Sequence, residues 1–101
     1  MGLTNTSLGQ DSLVDAAECL RALGHPMRLR ILLILEDARL TVGELAELCE
    51  IKSHVASEHL RLMTRCGFLS PEREGQKTYY QISEPHVFSI LACIKGKFNQ
   101  A

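Results

Sequence analysis

The sequence predicts one mainly α-helical domain whose five helices are interrupted by a single β-hairpin before the last. Three observations point there. Apolar residues recur at helical spacing in five separate segments, the mark of amphipathic helices. From residue 68 to residue 82 that rhythm gives way to two short runs around Glu74-Gly75, the second rich in β-branched and aromatic residues. The chain has 101 residues, room for one modest core and not for two domains, and at this size a partner subunit adds stability. Apolar residues make up 46% and charged residues 23%, a globular balance that excludes global disorder.

The first helix is expected over residues 11–23 on Leu13, Ala16, Ala17, Leu20 and Leu23, with Gly24 to stop it. Pro26 suits the first turn of a second helix, where its missing N–H costs nothing, and residues 28–35 are apolar enough to form the central core helix. Thr41 and Glu44 make a capping-box pattern that opens a short third helix through Leu45, Ala46 and Leu48. A turn at residues 50–52 follows, too short for anything but a tight helix-turn-helix. The fourth helix then carries Val55, Ala56, His59, Leu60 and Met63 along its inner side. Gly67 ends it. Residues 68–73 and 76–82 read as paired strands, and Pro71 gives the first an edge or irregular position. Ser83 is the expected cap of the last helix, with Pro85 in its first turn and Val87, Phe88, Leu91, Ile94 and Phe98 as its apolar stripe. Residues 1–10, rich in Ser, Thr, Asn and Gly, are expected to be a flexible N-terminus, and residues 11–101 the folded domain.

The longest apolar runs, residues 31–35 and 90–94, fall far short of the ~20 residues a bilayer span needs, so no membrane segment is expected. The opening MGLTNTSLGQ has neither the basic region nor the apolar region of a secretory signal. A cytoplasmic location follows as the expectation. Four cysteines stand at positions 19, 49, 66 and 93 with no CxxC pair, and in a reducing compartment they stay thiols. Their plain reading is as small buried hydrophobes. The net charge of −1 hides an asymmetry, because Lys52, Arg61, Arg65, Arg73 and Lys77 crowd into the second half. Such a cluster suits either a nucleic-acid footprint or a solvated helix face.

The string Ala22-Leu23-Gly24-His25-Pro26-Met27-Arg28-Leu29-Arg30-Ile31-Leu32 resembles the ArsR/SmtB family of bacterial winged helix-turn-helix repressors. So do Thr41-Val42-Gly43-Glu44-Leu45-Ala46, Ser57-Glu58-His59-Leu60, Cys66-Gly67-Phe68-Leu69 and Arg73-Glu74-Gly75-Gln76-Lys77-Thr78-Tyr79-Tyr80. The likeness covers residues 18–98 and joins several motifs in order. It implies a winged helix-turn-helix in which the hairpin is the wing. It also implies a homodimer through the first and last helices that binds double-stranded operator DNA and releases it when a small inducer binds.

Elementary recognition physics agrees. A helix-turn-helix sets its second helix in the major groove, where side chains near the helix start reach base edges. Here those are Lys52, Ser53, His54, Ser57 and Glu58, with Arg61 further along. Ser and His can donate or accept, and Lys52 suits a guanine edge or a phosphate. Ser53 reads equally as a helix cap, and His59 as a buried or a DNA-facing residue. Glu58 stands where relatives often carry an amide; a carboxylate accepts from a cytosine amine but repels phosphates. Arg73, Gln76 and Lys77 flank the wing turn, positioned for the neighbouring backbone. Tyr79 and Tyr80 alternate faces, so one packs on the core and the other is partly exposed.

The family's known metal-sensing patterns do not close on this chain. Arg39-Leu40-Thr41-Val42-Gly43 lacks the thiols of the third-helix set. Glu84 and His86 match half of the last-helix zinc set, but Lys97 and Gln100 stand at the other half, and lysine is no ligand at neutral pH. Cys66 has Leu62 at its partner position in a third pattern, and Leu33 replaces a cysteine in a fourth. No bound metal and no cofactor are therefore expected. The candidate sensing thiols are Cys19 and Cys93, on helices expected to meet at the dimer interface, with Cys49 and Cys66 as another pair and four inert thiols as the bland alternative.

The leading function is a sequence-specific transcriptional repressor whose inducer is a metal ion, a metalloid or a thiol-reactive species. The alternatives are a winged-helix protein-interaction module and a regulator with no metal sensing. An enzyme is not expected, because GxSxG, HExxH and a phosphate-cradling glycine-rich loop are all missing.

Overall fold

The computed structural model describes residues 8–99. Its elements run α1 (Gln10–Leu23), α2 (Pro26–Leu35), β1 (Leu40–Thr41), α3 (Val42–Cys49), α4 (Ser53–Arg65), β2 (Leu69–Glu74), β3 (Lys77–Ile82) and α5 (Pro85–Phe98). The expected flexible N-terminus falls mostly on residues 1–7, outside the described residues, and Gln10 already belongs to α1. Pro26 sits in the first turn of α2, and the Thr41–Glu44 capping box is complete. There the Glu44 backbone N–H donates to Thr41 Oγ1 at 3.2 Å, and the Thr41 N–H donates to Glu44 Oε1 at 2.9 Å. The Thr41 N–H and, at 3.1 Å, the Thr41 hydroxyl both donate to Glu44 Oε1 and hold the Glu44 carboxyl below the usual carboxylate range.

The structure departs from the sequence reading in four places. A third strand, β1, pairs Leu40 with Tyr80 and Thr41 with Tyr79, giving an antiparallel sheet of order β1-β3-β2. Two residues offer no alternation to read, so pattern alone does not reveal it. Glu84, not Ser83, caps α5, its carboxylate accepting from the His86 backbone N–H at 3.0 Å. Ser83 instead closes the hairpin base: its hydroxyl donates to the Gly67 carbonyl and its N–H to the Phe68 carbonyl. Lys52 is the N-cap of α4, so Ser53 is helical and does not cap it. The hairpin turn lies one residue later than expected, at Gly75-Gln76 between the paired Glu74 and Lys77, with Gly75 at φ +63°. Positive φ at the first central position of a two-residue turn is where glycine relieves steric strain. Pro71 lies on β2, an edge strand, as expected.

The core is one layer of side chains from every helix. Ile31 and Leu32 of α2, Leu45 of α3, Leu60 and Met63 of α4, and Val87 and Leu91 of α5 are fully buried. Each contributes about 1.5–3 kcal/mol by leaving water. Ala56, Leu60 and Met63 are spaced three and four apart, so one stripe of α4 is fixed to the core and the opposite side must face outward. Between α3 and α4, Glu50 adopts the left-handed conformation at φ 55°, and the Ile51 N–H reaches back to the Ala46 carbonyl at 3.0 Å. That reversal sets the short helix-turn-helix joint.

A polar seam fastens the middle of α4 to the start of α2. The Arg28 guanidinium donates through Nε to the Ala22 carbonyl at the end of α1, and through Nη1 to His59 Nδ1 at 3.3 Å. Because arginine only donates, the His59 Nδ1 is the acceptor and its ring is neutral. The His25 ring lies 4.9 Å from the His59 ring, and His25 Nδ1 accepts from the Met27 N–H. Burial first, then the His25 and Arg28 charges, lower the His59 pKa, with Glu58 opposing.

Two stability measurements check these anchors. Thr41→Ala removes one half of the capping box and is expected to cost about 1 kcal/mol in chemical denaturation; a loss near zero contradicts the capping role. For His59 the depressed pKa means that the unfolded chain binds the extra proton, so its contribution is complete above about pH 6.5 and fades as pH falls below it. Thermal midpoints should drop between about pH 7.5 and about pH 5.5, and drop less in His59→Gln, which keeps an acceptor for Arg28 but cannot charge. Equal drops in the two proteins contradict the seam.

Candidate nucleic-acid interface

The outward side of α4 and the tip of the β2–β3 hairpin carry the residues singled out from sequence. Lys52, Ser53, His54, Glu58 and Arg61 are exposed, and Ser57 is half-buried. No side chain caps the first turn of α4, so its N–H groups and the positive end of the helix dipole face outward beside Lys52. His54, Glu58 and Arg61 follow one another on successive turns, opposite the Ala56, Leu60 and Met63 stripe. Glu58 keeps a free carboxylate on this face, where it can accept from a cytosine amine. His59 differs from these residues. It turns inward against Arg28 and His25, so it positions the helix and does not line the open face.

On the hairpin, Arg73, Gln76 and Lys77 are all exposed, and Arg73 Nε donates to the Gly75 carbonyl across the turn at 3.2 Å. Three acceptors surround a residue that sequence reading passed over. Arg39 Nη1 lies 2.8 Å from Glu72 Oε1, its Nη2 pairs with Glu74, and its guanidinium stacks 4.6 Å from the centre of the Tyr79 ring. The Glu74 hydrogen bond, ahead of the Glu74 and Glu72 charges, raises the Arg39 pKa. One guanidinium offsets one of the two carboxylate charges and holds both away from the tip, where among the described residues Arg73 and Lys77 form no ion pair. Arg39 is 33 residues from Glu72, and no local pattern announces such a pair. Tyr80 packs against the core while Tyr79 meets Arg39, the division expected from their alternation.

The remaining candidates are metal-ligand and thiol residues. Glu84 Oε2 lies 2.6 Å from His86 Nδ1 and also accepts the His86 N–H, and these bonds hold its carboxyl below the usual range. The pair is committed to capping α5, Lys97 is exposed at the other end of that helix, and Gln100 lies outside the described residues. Among the described residues no group of three or more His, Cys, Asp or Glu could hold a metal ion. Cys49 is buried and its thiol pKa is raised by that burial. Cys93 is exposed on α5. Cys19 and Cys66 share one wall between α1 and the end of α4. The helical periods place Cys19 and Cys66 on different elements, and only tertiary packing reveals that they meet.

The helix-turn-helix domain family matches residues 23–72. The transcriptional repressor SmtB of Mycobacterium tuberculosis is 32% identical over 80 residues, covering 78% of this chain and 59% of SmtB. The chain thus spans about three-fifths of the length of that relative. The transcriptional regulator YgaV of Escherichia coli is 32% identical over 97 residues, covering 95% of this chain and 98% of YgaV. Among solved structures, the homodimeric winged helix-turn-helix DNA-binding domain Mb0332 of Mycobacterium bovis superposes with a TM-score of 0.80 at 25% identity, covering 92% of this chain and 86% of that one. Identity above 30% to SmtB over more than three-quarters of the chain, and to YgaV over nearly all of both, means that this chain belongs to the ArsR/SmtB family of winged helix-turn-helix transcriptional regulators.

Proposed function

We propose that this protein is an operator-binding transcriptional repressor that works as a homodimer in the cytoplasm and has no catalytic activity. The observation that carries the reading is the division of α4: Ala56, Leu60 and Met63 are locked in the core while Lys52, Ser53, His54, Glu58 and Arg61 stand free. A helix held by one stripe, with polar and cationic groups on the other, fits a major groove. Lys52, Ser53, His54, Ser57 and Glu58 read base edges in this account, Arg61 contacts phosphate, and Arg73, Gln76 and Lys77 contact the adjoining backbone. His59 acts from behind, by holding the reading helix in place.

The dimer is proposed to form through α1 and α5. Leu13, Val14 and Leu20 on α1 and Phe88 and Phe98 on α5 are between 41% and 63% exposed, too much large apolar surface on two helices for a chain of this size to leave in water. A second copy covers like with like by two-fold symmetry, and the homodimeric state of the Mycobacterium bovis domain supports this choice. The names of SmtB and of the Bacillus anthracis repressor PagR support repression, against that of the Vibrio cholerae activator HlyU. The inducer is proposed to be a metal ion, a metalloid or a thiol-reactive species. Residues 11–101 form the DNA-binding and dimerisation domain in this reading.

A gel shift on DNA upstream of the protein's own gene, repeated across salt concentrations, tests the reading. Affinity should fall steeply with salt, and Arg61→Ala and Lys77→Ala should each weaken binding alike across sequences and lower the log–log salt slope by about one. Binding that is absent or independent of salt contradicts the repressor and favours a protein-interaction module.

A further inference from the structure

A cavity of about 560 Å³ opens between α1 and the end of α4, lined by Asp15, Glu18, Cys19, Arg21, Ala22, Arg28, Leu62, Arg65 and Cys66. Two cysteines 47 positions apart in sequence meet on its wall. Among the described residues Arg21 and Arg65 form no ion pair, and with Arg28 they outnumber Asp15 and Glu18 around the same space. We propose that Cys19 and Cys66 form an intrachain dithiol that is oxidised to a disulfide by small carboxylate-bearing disulfides drawn in by these arginines. In this way they switch the DNA-binding face of α4.

The chemistry favours a sulfur electrophile over zinc. Two sulfurs alone do not complete a closed four-ligand site, and among the described residues no further His, Cys, Asp or Glu joins them in a metal-binding group. Thiol–disulfide exchange needs only the pair. Desolvation, ahead of the neighbouring Cys19 thiol, raises the Cys66 pKa. In the proposed order Cys19 attacks and Cys66 resolves. The Cys19 thiolate attacks one sulfur of the ligand disulfide, whose S–S bond breaks and releases a thiolate that takes up the proton lost by Cys19. Cys66, on losing its proton, then attacks the Cys19 sulfur of the mixed disulfide and expels the second ligand thiol. One disulfide is reduced to two thiols and two cysteine thiols are oxidised to one disulfide, so two electrons pass from protein to ligand.

The position of the bond gives it leverage. Cys66 is the C-cap of α4, and Cys19 lies on α1, whose outer face is assigned above to the partner subunit. Replacing a non-bonded contact by a covalent bond of about 2 Å draws the end of α4 toward α1. Arg28, which holds the Ala22 carbonyl and His59, borders the same cavity, so its occupant disturbs the seam that orients α4.

The operator readout rests on the repressor reading, whereas mapping the bond does not. Reduced full-length protein is treated with oxidised glutathione and, separately, with uncharged bis(2-hydroxyethyl) disulfide. Expected are a Cys19–Cys66 disulfide by peptide mass mapping, two glutathione molecules released per chain, and reaction about tenfold faster with the anionic probe, an advantage lost in Arg21→Ser with Arg65→Ser. Operator affinity should fall about tenfold on oxidation and return with reductant. Cys19→Ser and Cys66→Ser, checked for native thermal midpoints, should lose the response and Cys93→Ser keep it. A bond involving Cys93, a glutathione adduct that never resolves, equal rates for both probes, or unchanged affinity after oxidation overturns the proposal. If the reduced protein binds no DNA, the repressor reading fails and the mapping alone decides the dithiol.

Discussion

The attachment of α4 by a single stripe is the constraint on which the rest of the structure depends. Ala56, Leu60 and Met63 sink toward α1, α3 and the hairpin, and among the described residues nothing else covers the opposite side. Packing of this kind fixes rotation about the helix axis, since turning α4 by one residue would expose Leu60 and bury a charge. Arg28 adds what packing alone does not supply. By joining the last turn of α1, the first turn of α2 and the middle of α4, it sets where the helix sits along its own axis. The same residue borders the thiol cavity, so the joint that orients the reading face is also within reach of the proposed switch.

Electrostatics explains how a chain of net charge −1 can approach a polyanion. Its acidic groups are concentrated in the first fifty residues, and those that intrude on the hairpin are paired locally. Arg39 pairs with both Glu72 and Glu74 and offsets one of their two charges, and Glu84 is occupied by the backbone and ring of His86. Among the described residues, the charged groups of α4 and the hairpin that stand free of ion pairs are cationic except for Glu58. At distances beyond a Debye length of about 10 Å the acidic face of α1 is screened from DNA, so the local pattern governs binding rather than the total.

The helices, the helix-turn-helix joint and the hairpin were legible in sequence because each has a local cause: the period of Leu and Ile, the Thr41–Glu44 box, Pro26 and Pro85 in first turns, Gly67 and Gly75 as breaks. The misreadings came where two local solutions were equivalent. Ser83 and Glu84 are both good N-caps, and the choice fell to Glu84 because the Ser83 hydroxyl is taken by the Gly67 carbonyl. β1 was hidden because Thr41 is at once strand and cap. The inward turn of His59, the Arg39 clamp and the Cys19–Cys66 contact are set by residues 31, 33 and 47 positions away, beyond any periodicity.

Amide chemical-shift mapping of the reduced protein with a duplex selected from random DNA tests the central claim most directly. The account predicts that the largest perturbations gather on residues 52–61 and 73–77, with α1 and α5 little changed. Perturbations centred on α1 and α5, with residues 52–61 unmoved, would contradict it.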